Sequence, residues 1–217
     1  MIKITPEVLL KAYAAGVFPM AESAEDEALY WIDPETRGVL PLDAFHVPKR
    51  LKRTVRAGKF EIKIDHSFDK VIAACAASDT DRQTTWINKR IRKLYAALFK
   101  MNRCHTVETW EDGKLVGGLY GVRLGGVFFG ESMFSRTRDA SKVALVHLAA
   151  RLIAGGFSLL DTQFTTEHLG QFGVVEVARD DYHEMLEQAL SVQKADFHQF
   201  EGDGDGAKVL QLVSQTS

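Results

Sequence analysis

The sequence predicts an α+β fold: a small N-terminal domain followed by a mixed sheet flanked by helices. Three observations predict it. An aromatic, proline-rich and irregular stretch fills the chain up to about Phe45. Three strand runs punctuated by glycine then follow one another between Thr106 and Phe134. A helical stretch and one more apolar strand come directly after them. Strands in a run, then a helix, then a strand, fit a layered arrangement with a helical crossover. A chain of 217 residues can hold one large domain, or a small one plus a larger one.

Each element has a local reason. Thr5-Pro6-Glu7 starts a helix with a hydroxyl cap, a proline in the first turn and an acid. That helix runs to about Ala15 and stops at Gly16. Phe18-Pro19-Met20 turns the chain into the irregular module, which ends near Phe45. Residues 1–45 are therefore the expected N-terminal domain and 46–217 the second. A short strand is expected over Phe60 to Ile64, and a helix from Ser67 to Ala77. A second helix covers about Lys89 to Met101, with Ile91, Leu94, Tyr95 and Leu98 on one stripe. Strands Thr106 to Glu111 and Lys114 to Val122 are joined by Asp112-Gly113, a hairpin signal. Gly125-Gly126 turns the chain into Val127 to Phe134. Asp139 and Ser141 can cap the next helix, which ends at Gly155-Gly156. Phe157 to Phe164 reads as a buried strand and Asp181 to about Ser191 as a helix. The glycine-dotted tail reads as loosely ordered, with a short strand at Val209 to Val213. This order is also the skeleton of the acetyltransferase-like fold.

Hydrophobic content of 46% and charged content of 26% are ordinary for a soluble globular protein. The net charge of −2 gives no global argument for nucleic acid, but its distribution is uneven. From His46 to Lys63 there are seven Lys/Arg against Glu61 alone, and from Arg82 to Arg103 seven more and no acid. Glu22 to Glu35 and Glu176 to Asp205 are acidic. A basic middle with acidic flanks fits contact with a polyanion, or simply a solvated mixed surface. Two distant cysteines, Cys75 and Cys104, suggest reduced thiols and a cytoplasmic location. The seven His lack paired ligand spacing, so no metal is expected. No apolar run approaches the roughly 18 residues of a membrane span, and no signal peptide is visible.

The stretch Gly117 to Ser135 carries chemistry. Glu131 sits among Phe128, Phe129, Met133 and Phe134, and strand alternation puts Phe129, Glu131 and Met133 on one face. A carboxylate there is costly unless it is paired or used. The surrounding glycines permit a ligand to approach the backbone, so the run reads as the floor of a pocket. Asp161 and Gln163 end the following strand on one face, where an acid and an amide can orient a nucleophile or accept a proton. A strand-end Asp capping a loop is the plainer alternative. Trp31 and Trp86 suit stacking platforms, with core anchoring as the plainer reading. Arg50, Lys52 and Arg53 suit backbone phosphates. A coenzyme A site would need a glycine turn before the crossover helix. Ser135 to Ser141 contains no glycine, so the usual backbone cradle is missing.

In order along residues 7 to 190, the chain resembles the bacterial leucyl/phenylalanyl-tRNA–protein transferases. The matching pieces include Tyr13 to Met20, Trp31-x-x-Pro34-x-x-Arg37-Gly38-Val39-Leu40 and Thr85-Trp86-Ile87. They continue through His105 to Trp110, Leu115 to Gly121, Gly130 to Ser135, Ala140 to Leu145 and Asp161-Thr162-Gln163. The resemblance implies a small N-terminal domain and an acetyltransferase-like domain, with no cofactor. It implies transfer of Leu or Phe, and more weakly Met, from aminoacyl-tRNA to proteins with N-terminal Arg or Lys, marking them for degradation. It puts Trp31 and Trp86 around the terminal adenosine, and Leu119, Phe128, Leu145, Leu148, Leu152 and Leu160 around the amino-acid side chain. Gly130 and Glu131 fall beside the aminoacyl group, and Asp161 and Gln163 at the catalytic pair. A monomer without membrane contact is the expected state. The alternatives are a coenzyme A-dependent N-acyltransferase on the same fold and a non-catalytic RNA-binding module.

Overall fold

The computed structural model describes residues 4–24, 26, 28–77 and 85–215. Helix α1 (Pro6–Ala14) opens with the expected cap, Thr5 Oγ1 accepting the Val8 N–H. Strands β1 (Phe18–Met20) and β2 (Tyr30–Ile32) form a small antiparallel sheet of their own. Strand β3 (Thr36–Leu40) instead joins the large sheet, between strands from the far end of the chain. The changeover expected near Phe45 thus falls after a strand that already belongs to the large sheet.

Helix α2 (Lys49–Arg56), strand β4 (Glu61–Ile64), helix α3 (Phe68–Ala76) and helix α4 (Lys89–Lys100) follow. The buried face of α4 is the expected stripe of Ile91, Leu94, Tyr95 and Leu98. Strands β5 (Cys104–Glu111), β6 (Lys114–Leu124) and β7 (Val127–Ser135) form the antiparallel meander. Asp112 and Gly113 both take positive φ at its first turn, as an Asp-Gly hairpin requires. Helix α5 (Ala140–Ala154) crosses over to β8 (Leu159–Gln163), which pairs with β7 in parallel. Helix α6 (Glu167–Gly170), strand β9 (Val175–Ala178), helix α7 (Arg179–Leu190) and helix α8 (Gly206–Gln215) complete the chain.

The seven-stranded sheet runs β4-β5-β6-β7-β8-β3-β9. One face packs on α5, against which α2 and α8 stack, and the other packs on α1, α3, α4 and α7. Two local expectations are corrected. The tail forms a helix rather than a strand: Val209, Leu210 and Val213 share one helical face and are buried, and Asp205 caps the first turn. Asp139 makes no side-chain cap for α5, because it takes a left-handed conformation; Ser135 Oγ accepts the Ser141 N–H instead.

Candidate active site

Two neighbouring strands bulge at the same level. On β7, Gly130 pairs with Gly121 and Ser132 with Tyr120, so Glu131 is an extra residue. On β8, Asp161 pairs with Val39 and Gln163 with Gly38, so Thr162 is extra. The β7–β8 ladder ends with Phe129 opposite Asp161. Beyond that pair the strands part, and a cavity of about 890 Å³ opens beside them. Bulges bend strands and re-aim side chains in this way. The bulge also breaks the expected alternation: Phe129 and Phe134 pack in one core layer, whereas Met133 packs against the other.

Glu131 is aimed at α1 and α4. Tyr13 Oη donates to its Oε1 at 2.6 Å and Tyr95 Oη lies 2.8 Å from its Oε2. Burial pushes the Glu131 carboxyl up to about 7, against the two tyrosine hydrogen bonds that pull it down.

Asp161 is fully buried behind the cavity and heavily partnered. Arg37 Nε donates to Oδ1 at 3.0 Å and Nη2 to Oδ2 at 2.7 Å, a bidentate pair. Tyr182 Oη donates to Oδ2 at 2.7 Å, and the Gln163 N–H to Oδ1 at 2.8 Å. Arg37 lies between the rings of Phe18 and Tyr182, and its Nη1 donates to the Gly16 carbonyl. Burial opposes the Arg37 charge, but the hydrogen bond and charge of Asp161 outweigh it and hold the group above its ordinary value. Burial, with the Asp161 charge, pushes the Tyr182 phenol well up, so it stays a donor. Gln163 takes a positive φ of 59°. Its side chain lines the cavity, and its buried Nε2 has no hydrogen-bond partner. A buried, unpartnered amide donor on a side chain at the cavity edge is a group left for a ligand.

The cavity brings together Trp86, Gly130, Glu131 and Gln163 with an apolar wall of Leu119, Leu145, Leu148 and Leu160. Four expected residues lie elsewhere. Asp161 holds the cavity edge from behind without lining it. Phe128 is buried in the same core layer as the leucine wall, against the Phe197 ring and behind the lining, and Leu152 lies in that core too. Trp31 is exposed on β2, paired with Pro19, which does line the cavity. Arg50 and Arg53 project from α2 into solvent and Lys52 is half-buried, while Leu51 and Val55 anchor the helix. Among the described residues none of these three cations pairs with a carboxylate. Arg82 lies outside the described residues. Among the described residues, Asp65, His105 and His198 are the one cluster with metal-ligand chemistry. Asp65 Oδ2 sits 2.7 Å from His105 Nδ1, a hydrogen-bond distance, and burial holds that imidazole below its usual pKa.

Sequence reasoning assigned no role to Arg37, Tyr13, Tyr95 or Tyr182. The signal for Arg37 was a lone charge entering the apolar run Gly38-Val39-Leu40. Tyr95 read as an ordinary member of the α4 apolar stripe, and nothing local set Tyr13 or Tyr182 apart.

Comparison with known proteins gives the class of molecule to which the parted strands, the crossover helix and the buried acid–amide edge belong. The family model for leucyl/phenylalanyl-tRNA protein transferase matches residues 39–187, and the model for the N-terminal domain of those enzymes matches residues 3–35. A leucyl/phenylalanyl-tRNA–protein transferase from Caulobacter vibrioides is 59% identical over 98% of this chain and 98% of its own. One from Afipia carboxidovorans is 56% identical over 99% of this chain and 95% of its own, and one from Phenylobacterium zucineum 58% identical over 96% of each. Among solved structures, the C-terminal domain of a putative lysylphosphatidylglycerol synthetase from Agrobacterium fabrum covers 99% of this chain and 70% of its own. Its identity of 14% and TM-score of 0.37 carry no argument. The chain is an aminoacyltransferase. It belongs to the leucyl/phenylalanyl-tRNA–protein transferase family.

Proposed function

We propose that this chain, as a monomer, moves Leu or Phe, and more weakly Met, from aminoacyl-tRNA to the N-terminal Arg or Lys of acceptor proteins. The new peptide bond creates a degradation signal. The observation that carries the reading is the cavity at the parted strands, with its leucine wall, a carboxyl at its floor and a free amide at its edge. The leucine wall suits a branched or aromatic side chain. Trp86 suits the terminal base, and exposed Trp31, on the strand beside Pro19, offers a second stacking face. Glu131 takes the donor's α-amine, and the basic face of α2 with Arg50, Lys52 and Arg53 takes tRNA phosphates.

The ester of an aminoacyl-tRNA is already activated, so bringing amine and carbonyl together supplies much of the rate. The acceptor nitrogen attacks the ester carbon. The carbon–nitrogen bond forms, the bond to the ribose oxygen breaks, and the amine's proton ends on that oxygen. Asp161 is a positioning residue in this reading: its two oxygens already accept from Arg37, Tyr182 and the Gln163 N–H. It holds Gln163 so that the free amide meets the reacting groups.

The test uses labelled Phe-tRNA and Leu-tRNA with a peptide beginning in Arg and a control beginning in Ala. Label should enter the Arg peptide alone. Transfer to both peptides equally, or to neither, overturns the reading. Acetylation of the Arg peptide from acetyl-coenzyme A would establish the alternative acyltransferase.

A further inference from the structure

The hydroxyls of Tyr13 and Tyr95 and the carboxyl of Glu131 close a ring behind the cavity floor, where Glu131 alone of the three lines the cavity. Tyr13 Oη is 2.6 Å from Glu131 Oε1, Tyr95 Oη is 2.8 Å from Oε2, and the two phenol oxygens are 2.5 Å apart. Oxygens this close need a hydrogen between them. Each tyrosine has one O–H, so the phenols supply two protons for three contacts, and a carboxylate supplies none. We propose that Glu131 is a neutral carboxylic acid in the empty site, holding the third proton of this ring, and that it gives up that proton when a cationic donor amine binds. The second half rests on the placement of the donor's α-amine at Glu131.

The surroundings support it. Burial and the nearby Glu131 push both ring phenols well up, so they remain O–H donors. Tyr120 from β6 and Cys104 from β5 also face the group, and burial pushes each up, so neither brings charge. Arg37 and Asp161 face it as an ion pair whose charges offset each other. No described residue contributes an unpaired cation to hold Glu131 ionised, in keeping with a carboxyl that titrates at about 7. The ammonium of the donor is the cation the site lacks.

The step balances. When the ammonium form binds, the Glu131 O–H bond breaks, the proton leaves to solvent, and a carboxylate–ammonium pair remains. When a neutral amine binds, the same proton moves to its nitrogen and none is released. An amide-linked α-amine has a pKa of about 7.7–8.0, so at pH 6 it arrives charged and one proton should be released per donor bound. Tyr13 and Tyr95 are positioning residues for this exchange.

Two measurements test it. In the free protein, infrared spectroscopy should show a protonated carboxyl band, absent in Glu131→Gln, that disappears as pH rises through about 7. Tyr95→Phe removes a charge-assisted bond from the carboxylate, so the band should persist to higher pH; Tyr13→Phe repeats the test if that variant folds poorly. A band missing at pH 5.5, or unmoved in both variants, overturns the ring. The second measurement is calorimetry at pH 6, in two buffers of different ionisation enthalpy. The probe is phenylalanine in amide linkage to 3′-amino-3′-deoxyadenosine. About one proton should be released, and none with the N-acetylated probe. Binding without release overturns the exchange while leaving the donor site in place. A carboxyl that titrates as expected in a protein that binds neither probe overturns the placement of the amine at Glu131.

Discussion

Replacing Asp161 by asparagine keeps the shape and removes the charge from the most densely bonded carboxylate described above. Asp161 and Arg37 have side-chain exposures of 0% and 1%, so water cannot replace the lost partner. The variant leaves Arg37 buried, flanked by two rings, with its forked donors facing one carbonyl oxygen and one amide N–H. Breaking such a pair from one side costs about 3–5 kcal/mol. At about 2–4 °C per kcal/mol for a chain of this size, melting should fall by about 6–20 °C. Thermal unfolding followed by circular dichroism reads this for Asp161→Asn, alongside Arg37→Met and the double variant that combines them. The double variant removes the stranded charge, so its loss should be smaller than the sum of the single losses. Transfer by Asp161→Asn should fall roughly tenfold with the shape of its pH profile kept, since the introduced amide oxygen can still accept the Gln163 N–H. A melting temperature within about 2 °C of the parent, or additive losses, refutes the ion-pair reasoning. A folded variant that loses roughly a thousandfold or more, with the acid limb of its pH profile gone, makes Asp161 the proton acceptor instead.

Other predictions concern separate parts of the molecule. Glu131 titrates at about 7 when folded against an ordinary 4.5, so between those values the folded chain holds a proton that the unfolded chain has lost. Its stabilising share is complete below 4.5 and is lost as pH rises through 7, an effect of about 3 kcal/mol. The melting temperature of Glu131→Gln relative to the parent should therefore climb from pH 5 to pH 8, and a constant difference refutes the shift. Changing Arg50, Lys52 and Arg53 together to Ala should lower the slope of log affinity for tRNA against log salt by about two to three; an unchanged slope removes α2 from the interface. Leu148→Ala enlarges the leucine wall and should move the Phe-to-Leu transfer ratio toward Phe by about tenfold, read by competition between the two charged tRNAs. An unaltered ratio places the side chain elsewhere.

The sheet and crossover were legible because they are written in short-range signals. Asp112-Gly113 makes its turn with the conformation such a pair favours, and the α4 stripe is readable from spacing alone. Glu131 and Gln163 could be picked out because each strains a local rule, as a charge or an amide in an apolar strand, whereas the cavity leucines came from the family resemblance and not from any local pattern. The partners of Asp161 were not readable in that way. Arg37 lies 124 positions away and Tyr13 lies 118 from Glu131, and no local pattern specifies which distant residues will meet. The bulges at Glu131 and Thr162 were missed because alternation assumes a regular ladder, and only the pairing register reveals the extra residue. Val209, Leu210 and Val213 were misread since three apolar residues among glycines fit a strand about as well as a helix.

The insertion of β3 between β8 and β9 has a consequence for how the chain comes into being. Strand β8 acquires its β3 neighbour from a segment made early in synthesis, whereas β8 and β9 are made late. The N-terminal segment must wait, its strand unpaired, until most of the polypeptide has emerged. Only then can Arg37 reach Asp161 and Tyr13 reach Glu131. The same closure that completes the sheet makes both of these contacts, so in the proposed mechanism an unfinished chain lacks the edge that would discharge an aminoacyl ester. Refolding experiments should find activity returning with the slowest structural phase, never ahead of it.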